Sequence, residues 1–307
     1  MLVNTVMNHK GGVTKTTTTM LMGECLASAG YPSLLIDGDP QGTLSIDTYD
    51  IDPSSKGLAE VIEDPTILKE VIKPTRVKNL FVIPPGNDLG EVFMRWETRG
   101  LLREKTDQLV VRLHEDVGGS FDAAFIDNPP SISGFPQYAS ELSDKVIIPV
   151  ESEQYSLMAT VRTWIRIKNL YPLWKDQDFA ILISKHVEQR SLARDHVRGF
   201  NQFVNHERID FEMHNKGKPF PVKLLNAVIP SSADVANMLY EKSNLFIKKG
   251  SSPVAQGYIK AVMELYPQFS DIPDRLKEKR DEQKTKGLFG GAKGKGEAKL
   301  VAEGAKG

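Results

Sequence analysis

The sequence holds a single cysteine, Cys25, which excludes an intrachain disulfide and any cysteine-cluster metal site. Long apolar runs are also missing. None approaches the roughly 20 residues that cross a bilayer, and the N-terminus lacks the charged and apolar regions of a signal peptide. Neither sign of charge is in excess: Lys and Arg number 39 and Asp and Glu 40, a formal net charge of −1. A uniformly basic nucleic-acid binder is therefore excluded, and any affinity for DNA must come from a local patch. The histidines form no zinc pattern, since no H-E-x-x-H occurs and His186 and His196 are widely spaced. The expectation is a cytoplasmic protein.

What is present is the balance of a globular chain, with 307 residues, 40% of them hydrophobic and 26% charged. Short apolar runs recur at Leu2 to Met7, Ser33 to Ile36, Leu80 to Ile83, Ala123 to Ile126, Val146 to Val150, Phe179 to Ile183 and Ala227 to Ile229. Such runs, without clean alternation, suit strands buried on both faces. Helically spaced stretches separate them, as at Leu21, Cys25 and Leu26 before Gly30. The expected fold is α/β: a mostly parallel twisted sheet with helices on both faces. No long polar linker divides the chain before about residue 268, so residues 1–268 are expected to form one domain. Residues 269–307 are expected to be a charged tail. It holds a candidate exposed helix over 271–286 and then a Gly/Ala/Lys-rich stretch too poor in apolar surface to fold.

The most informative stretch runs from Leu2 to Met20, LVNTVMNHKGGVTKTTTTM. A buried strand leads into Asn8-His9-Lys10-Gly11-Gly12-Val13-Thr14-Lys15-Thr16-Thr17, and a helix follows at once. A glycine-bearing turn in that place points backbone N–H groups inward, and the helix N-terminus adds partial positive charge. Together they form a cradle for a polyphosphate. Lys15 is placed to reach the outer phosphates and Thr16 to ligate Mg²⁺. The general pattern G-x-x-x-x-G-K-[ST] is nonetheless broken twice, by His9 and by Thr14.

Carboxylates follow at the expected ends of later strands. Asp37 and Asp39 stand in Ile36-Asp37-Gly38-Asp39-Pro40-Gln41-Gly42, and Asp127 in Ile126-Asp127-Asn128-Pro129-Pro130. Ligands of open parallel sheets sit beyond the carboxyl ends of the strands. Acids there, beside a phosphate loop, supply what a Mg²⁺-nucleotide site needs: oxygen ligands and a group to orient water.

These motifs resemble the ParA/Soj branch of the deviant Walker A ATPases, in the ParA/MinD superfamily of P-loop NTPases. Lys10 to Thr17 is similar to that branch's K-G-G-x-G-K-[ST]-T, Asp37 to Gly42 to its D-x-D-P-Q-G, and Asp127 to Pro130 to its D-x-P-P. Asn79 to Pro84 and Ile148-Pro149-Val150, with Glu153 and Leu157, are supporting matches. The resemblance covers about residues 1–265 and implies an ATP-dependent dimer. Lys15 would bind the β- and γ-phosphates, Thr16 coordinate Mg²⁺, and Thr17 contact the inner phosphate. Gly11, Gly12, Val13 and Thr14 would line the cradle. Lys10 would reach the ATP of a second copy, and Gly11 would let the two backbones approach. Asp39 would orient the attacking water beside Mg²⁺, and Asp127 would hold the metal through a water. Asp37 would support that group, and Ile229 and Pro230 would pack the adenine.

The resemblance also implies slow ATP hydrolysis stimulated by a ParB-like adaptor, non-specific DNA binding, a nucleoid-associated location, and plasmid or chromosome partition. Candidate DNA contacts are Arg162, Arg166, Lys168, Lys185, Arg190, Arg194 and Arg198, the last three at helical spacing. Lys242, Lys248 and Lys249 form a second candidate patch. Two alternatives stay open: positioning of a protein cargo on the nucleoid, or a weakly catalytic nucleotide-binding interaction protein. Membrane binding is not expected, because glycines interrupt the apolar residues Leu288, Phe289, Leu300 and Val301. No helix-turn-helix precedes the loop, so binding to a specific operator is not expected either.

Three departures from the branch stand out. Thr14 replaces a loop glycine, so either its φ is negative or the loop is strained. Ser231 and Ser232 stand where Arg-Asn is common, and residues 200–225 look like a local insertion.

Overall fold

A computed structural model of the chain describes residues 1–8, 10–12, 14–131, 133–152, 178–187, 191–214 and 222–285. Its centre is an eight-stranded sheet in the order β3-β4-β2-β5-β1-β6-β7-β8. The strands are β1 (Leu2–Val6), β2 (Ser33–Asp37), β3 (Lys73–Pro74), β4 (Leu80–Ile83), β5 (Ala123–Asp127), β6 (Lys145–Glu151), β7 (Asp178–His186) and β8 (Val222–Pro230). Seven of them coincide with the apolar runs. The eighth, β3, is a two-residue antiparallel edge pair against β4, too short and too polar to announce itself. Every other pairing is parallel.

Both faces of the sheet are covered, and strand alternation divides the core accordingly. Val6, Leu35, Val82, Phe125, Ile147 and Leu182 pack on one face. Against them lies α1 (Lys15–Ala29), of which 13 of 15 residues are buried, with the helix Pro253–Leu265 beyond it. Helix α1 approaches the sheet so closely at Gly23 that a Cβ there would lie 2.6 Å from Leu35 Cδ2. On the opposite face Val3, Leu34, Ile36, Ala124 and Ile126 meet α2 (Leu58–Glu63), α3 (Leu89–Thr98), α4 (Leu102–Asp116) and α5 (Phe135–Glu141). Val146, Ile148 and Val150 continue that face towards Phe200 of the helix Ser191–His214.

The packed body extends past residue 268. Residues 272–285 form a helix, and its Ile272 and Leu276 are fully buried in the core shared with α1. Burial of these two apolar residues one turn apart outweighs the charged composition around them, so this part is no free tail. Residues 286–307 lie outside the described residues. Within the stretch read as an insertion, residues 200–214 continue a long helix and 222–225 open β8, while 215–221 lie outside the described residues.

A candidate nucleotide and magnesium site

Parallel pairing brings the carboxyl ends of the strands to one edge. Val6 and Asp37 are both in register with Asp127, Glu151 with Ser184, and His186 with Pro230. Pieces far apart in sequence therefore meet around the loop that follows β1.

Within that loop, buried Asn8 works as a bracket. Its Nδ2 donates to the Pro149 carbonyl at 2.9 Å, and its Oδ1 accepts from the Lys10 backbone N–H at 3.0 Å. Gly12 has φ 76°, a conformation glycine adopts at no steric cost. Thr14 has φ 60° and ψ 20° at the start of α1, so of the two alternatives the loop is the strained one. A β-branched residue in the left-handed region costs on the order of 1–3 kcal/mol. Two contacts hold it there. The Thr14 hydroxyl lies 2.7 Å from that of Ser184 on β7, and its carbonyl accepts the Thr18 N–H at 2.8 Å.

Lys15 is buried at the base of the cradle, with Nζ 3.4 Å from the Lys10 carbonyl. Burial lowers its pKa, while Asp127 and Asp39 act against that shift. The Thr16 hydroxyl donates to Asp127 Oδ2 at 2.7 Å, and Thr19, one turn on, donates to Asp127 Oδ1 at 3.2 Å. Asp37 is fixed by the Ser45 N–H at 2.9 Å and the Ser45 hydroxyl at 2.7 Å. Asp39 stands half-buried in the turn, its N–H 3.3 Å from Asp37 Oδ1. Gly38 is required here, because a Cβ would sit 2.6 Å from the Asp127 carbonyl oxygen.

Burial pushes Asp127 up to about 7 and Asp37 up to about 6, as expected for carboxylates withdrawn from water. A cation beside them would offset that penalty. Among the described residues no three His, Cys, Asp or Glu side chains converge as a self-sufficient metal site. The donors at hand, Thr16 and Asp127 with Asp39 nearby, instead fit Mg²⁺, which keeps several waters and takes further oxygens from phosphates.

The remaining expected residues are placed as follows. Thr17 lies half-buried in the first turn of α1, and Gly11 is exposed, with nothing among the described residues within 4 Å of where its Cβ would be. Lys10 Nζ lies 3.9 Å from Glu151 Oε2. Ile229 is buried and Pro230 half-buried at the end of β8. Arg194 and Arg198 are exposed on one helix, Arg198 within 3.8 Å of Asp195. Lys185 does not join them: its amine contacts the Gly12 carbonyl at 3.2 Å and Glu151 Oε1 at 2.6 Å. The lysines of the second basic patch are each paired with an acid, Lys242 with Asp50, Lys248 with Glu241 and Lys249 with Asp234. Val13, Arg162, Arg166, Lys168 and Arg190 lie outside the described residues, as do His9, Glu153 and Leu157.

Sequence reasoning missed Thr19, Ser184 and Glu151. Thr19 had a signal, since three residues after Thr16 it lies on the same helix face. Glu151 had one too, an acid ending a strand as Asp37 and Asp127 do. No helix among the described residues is long and apolar enough to cross a membrane.

Known proteins resemble this chain in sequence and in fold. The sporulation initiation inhibitor protein Soj of Bacillus subtilis is 35% identical over 156 residues, 50% of this chain and 59% of Soj. The chromosome-partitioning ATPase Soj of Treponema pallidum is 32% identical over 158 residues, 49% of this chain and 57% of that protein. The chain thus spans somewhat more than half the length of these relatives. Among solved structures, an ATP complex of a Cyanothece McdA variant superposes with a TM-score of 0.67 at 19% identity, covering 86% of this chain and 95% of that one. The AAA domain family matches residues 1–180, which contain the phosphate loop, both acidic motifs and the first six strands. With its loop lysine Lys10 and its mostly parallel P-loop NTPase fold, the chain belongs to that family and, within it, to the ParA/MinD superfamily.

Proposed function

We propose that the chain is a Mg²⁺-dependent ATPase that dimerises on ATP, binds DNA without sequence preference in that state, and acts in plasmid or chromosome partition with a ParB-like partner. One observation carries the reading: Thr16 and Asp127 lie 2.7 Å apart, in a cradle that also holds Lys15 and faces Asp39. That arrangement suits a triphosphate with its metal. Lys15 neutralises phosphate charge, Thr16 and Asp127 hold the metal directly or through water, and Asp39 orients the attacking water. Bound Mg²⁺ would supply charge neutralisation at the phosphates. Open space around Gly11 supports close approach of a second copy, whose ATP Lys10 would reach. Ile229 and Pro230 would pack the adenine. DNA would be met by exposed Arg194 and Arg198, with Arg162, Arg166 and Arg190 as further candidates. The partition role draws on the Treponema relative's name. A cytoplasmic, nucleoid-associated protein is the matching location.

Gel filtration and DNA binding with ADP, ATP and a slowly hydrolysed ATP analogue, at two salt concentrations, test the reading. Dimers and salt-sensitive DNA binding are expected with ATP and the analogue only. A monomer under all three conditions would refute it.

A further inference from the structure

We propose that Lys185 is a positioning residue for Lys10, acting through the carboxylate of Glu151. The proposal rests on the reading of Lys10 as the group that reaches a second copy's ATP.

Lys185 interrupts the end of β7. Its φ of 49° places a non-glycine residue in the left-handed region, where the β7–β8 register also shifts between Ile183 and His186. That turn brings the Lys185 amine over the phosphate loop, where it donates to the Gly12 carbonyl and to Glu151 Oε1. A strained residue whose side chain makes two defined polar contacts at a ligand cradle is more than a solvated surface lysine.

The unequal distances decide how the carboxylate is shared. Glu151 lies 2.6 Å from Lys185 but 3.9 Å from Lys10, and its side chain is only 14% exposed. It is hydrogen-bonded to Lys185, whereas Lys10 is held by a longer, weaker ion pair. Lys185 thereby neutralises Glu151 and keeps it from holding Lys10 within its own subunit. Without the Lys185 charge, more of the attraction of Glu151 would fall on Lys10. The lysine would then have to break a stronger pair before crossing to another subunit. Nucleotide binding by a monomer does not need that departure; dimer formation does.

The test compares Lys185→Met, Lys185→Arg, Glu151→Gln and the double variant Lys185→Met/Glu151→Gln. ATP-driven dimerisation is followed by analytical ultracentrifugation, and binding of a fluorescent ATP analogue by the monomer is measured separately. Lys185→Met is expected to weaken dimerisation about two- to fivefold, the range of one partly exposed ion pair. Lys185→Arg and the double variant should return it towards wild type, while monomer binding moves less than twofold. Rescue by Glu151→Gln separates positioning of Lys10 from a structural tie to Gly12, which the second change cannot restore. The proposal fails if Lys185→Met dimerises like wild type, if the double variant is as impaired as the single one, or if Lys185→Met loses DNA affinity alone. Failure of the wild type to dimerise on ATP would instead overturn the functional reading, and this inference with it.

Discussion

The hydroxyl of Thr14, in the phosphate loop, lies 2.7 Å from the hydroxyl of Ser184, at the end of a strand 170 residues later. This bond spans the cradle and holds a β-branched residue at φ 60°, where a glycine would rest without strain. Ser184 is fully buried and has a second, longer contact to the Val150 carbonyl at 3.3 Å. Replacing Thr14 by Val keeps the branched side chain and its strain but removes the hydroxyl. The expected loss is about 0.5–1.5 kcal/mol of stability, that of one hydrogen bond, because Ser184 keeps its contact to the Val150 carbonyl. Thr14→Ser, which keeps the hydroxyl and sheds the branch, should be no less stable than wild type. Urea unfolding of the three proteins checks the order.

The Asp39 carboxylate accepts one hydrogen bond, from the Gln41 backbone N–H at 3.0 Å, and the Asp39 N–H is held by Asp37 Oδ1, so removing the side chain costs one exposed bond and leaves the rest of the turn in place. Asp39→Ala should bind ATP normally, hydrolyse it at least tenfold more slowly, and accumulate as a dimer. An unchanged steady-state phosphate release rate would remove Asp39 from the reaction.

Lys10 and Gly11 should be separable from Lys15. Lys10→Ala is expected to reduce dimerisation or turnover while monomeric ATP affinity stays within a few-fold of wild type. Gly11→Val should block the dimer, although a Cβ there meets nothing within 4 Å among the described residues. Lys15→Ala, in contrast, should abolish nucleotide binding. Equilibrium binding and sedimentation measured on the same samples separate the three.

Asp127 gives a pH signature of definite sign. Its pKa in the folded chain, about 7, lies above its ordinary value of 3.8, so the folded state takes up the proton more readily than the unfolded one. Stability without metal should therefore fall as pH rises from about 4 to about 7, then level off. The loss from this one carboxyl is at most about 1.4 kcal/mol for each pH step crossed. Asp37 and Glu24, both buried and raised to about 6 and about 7, slope the same way. Asp127→Asn should flatten part of the slope, melting above wild type near pH 8 with chelator and converging with it near pH 5. Mg²⁺ with ATP should raise the melting temperature of wild type far more than that of the variant. Identical pH profiles in differential scanning calorimetry would contradict this assignment.

The helix over 272–285 carries the last prediction. Leu276 is fully buried against the α1 side of the core, so Leu276→Ala should cost about 2–5 kcal/mol. Ending the chain at residue 268 should be worse still. A truncated chain as stable to urea as the full one would show that this helix adds nothing.

Much of this was legible in the linear chain. The strands of a parallel sheet are buried on both faces, so they appear as unbroken apolar runs, and seven of the eight were readable as such. The loop could be read because its chemistry is local: glycines, a lysine and threonines within ten residues build the cradle where a strand turns into a helix. The acids Asp37, Asp39 and Asp127 were readable because each follows a strand, and parallel strands deliver their carboxyl ends to a common edge. A charged composition, by comparison, misrepresented residues 269–285, where Phe269, Ile272 and Leu276 are buried and Asp271, Arg275 and Arg280 reach Tyr31 and the Phe246 carbonyl.

By itself, then, the sequence determined the fold class and the place of the glycine-bearing loop and the acids at the strand ends, since each depends on residue type and short-range spacing. Tertiary structure decided which distant partners close the site. The left-handed conformation of Thr14 is tolerable only because β7 supplies Ser184, and Lys185 faces the loop rather than a basic surface only because the end of its strand turns. The pairing of Lys10 and Lys185 on Glu151 likewise depends on β1, β6 and β7 lying side by side. No local pattern encodes such contacts, because they arise from strand order and register, which the whole core fixes at once.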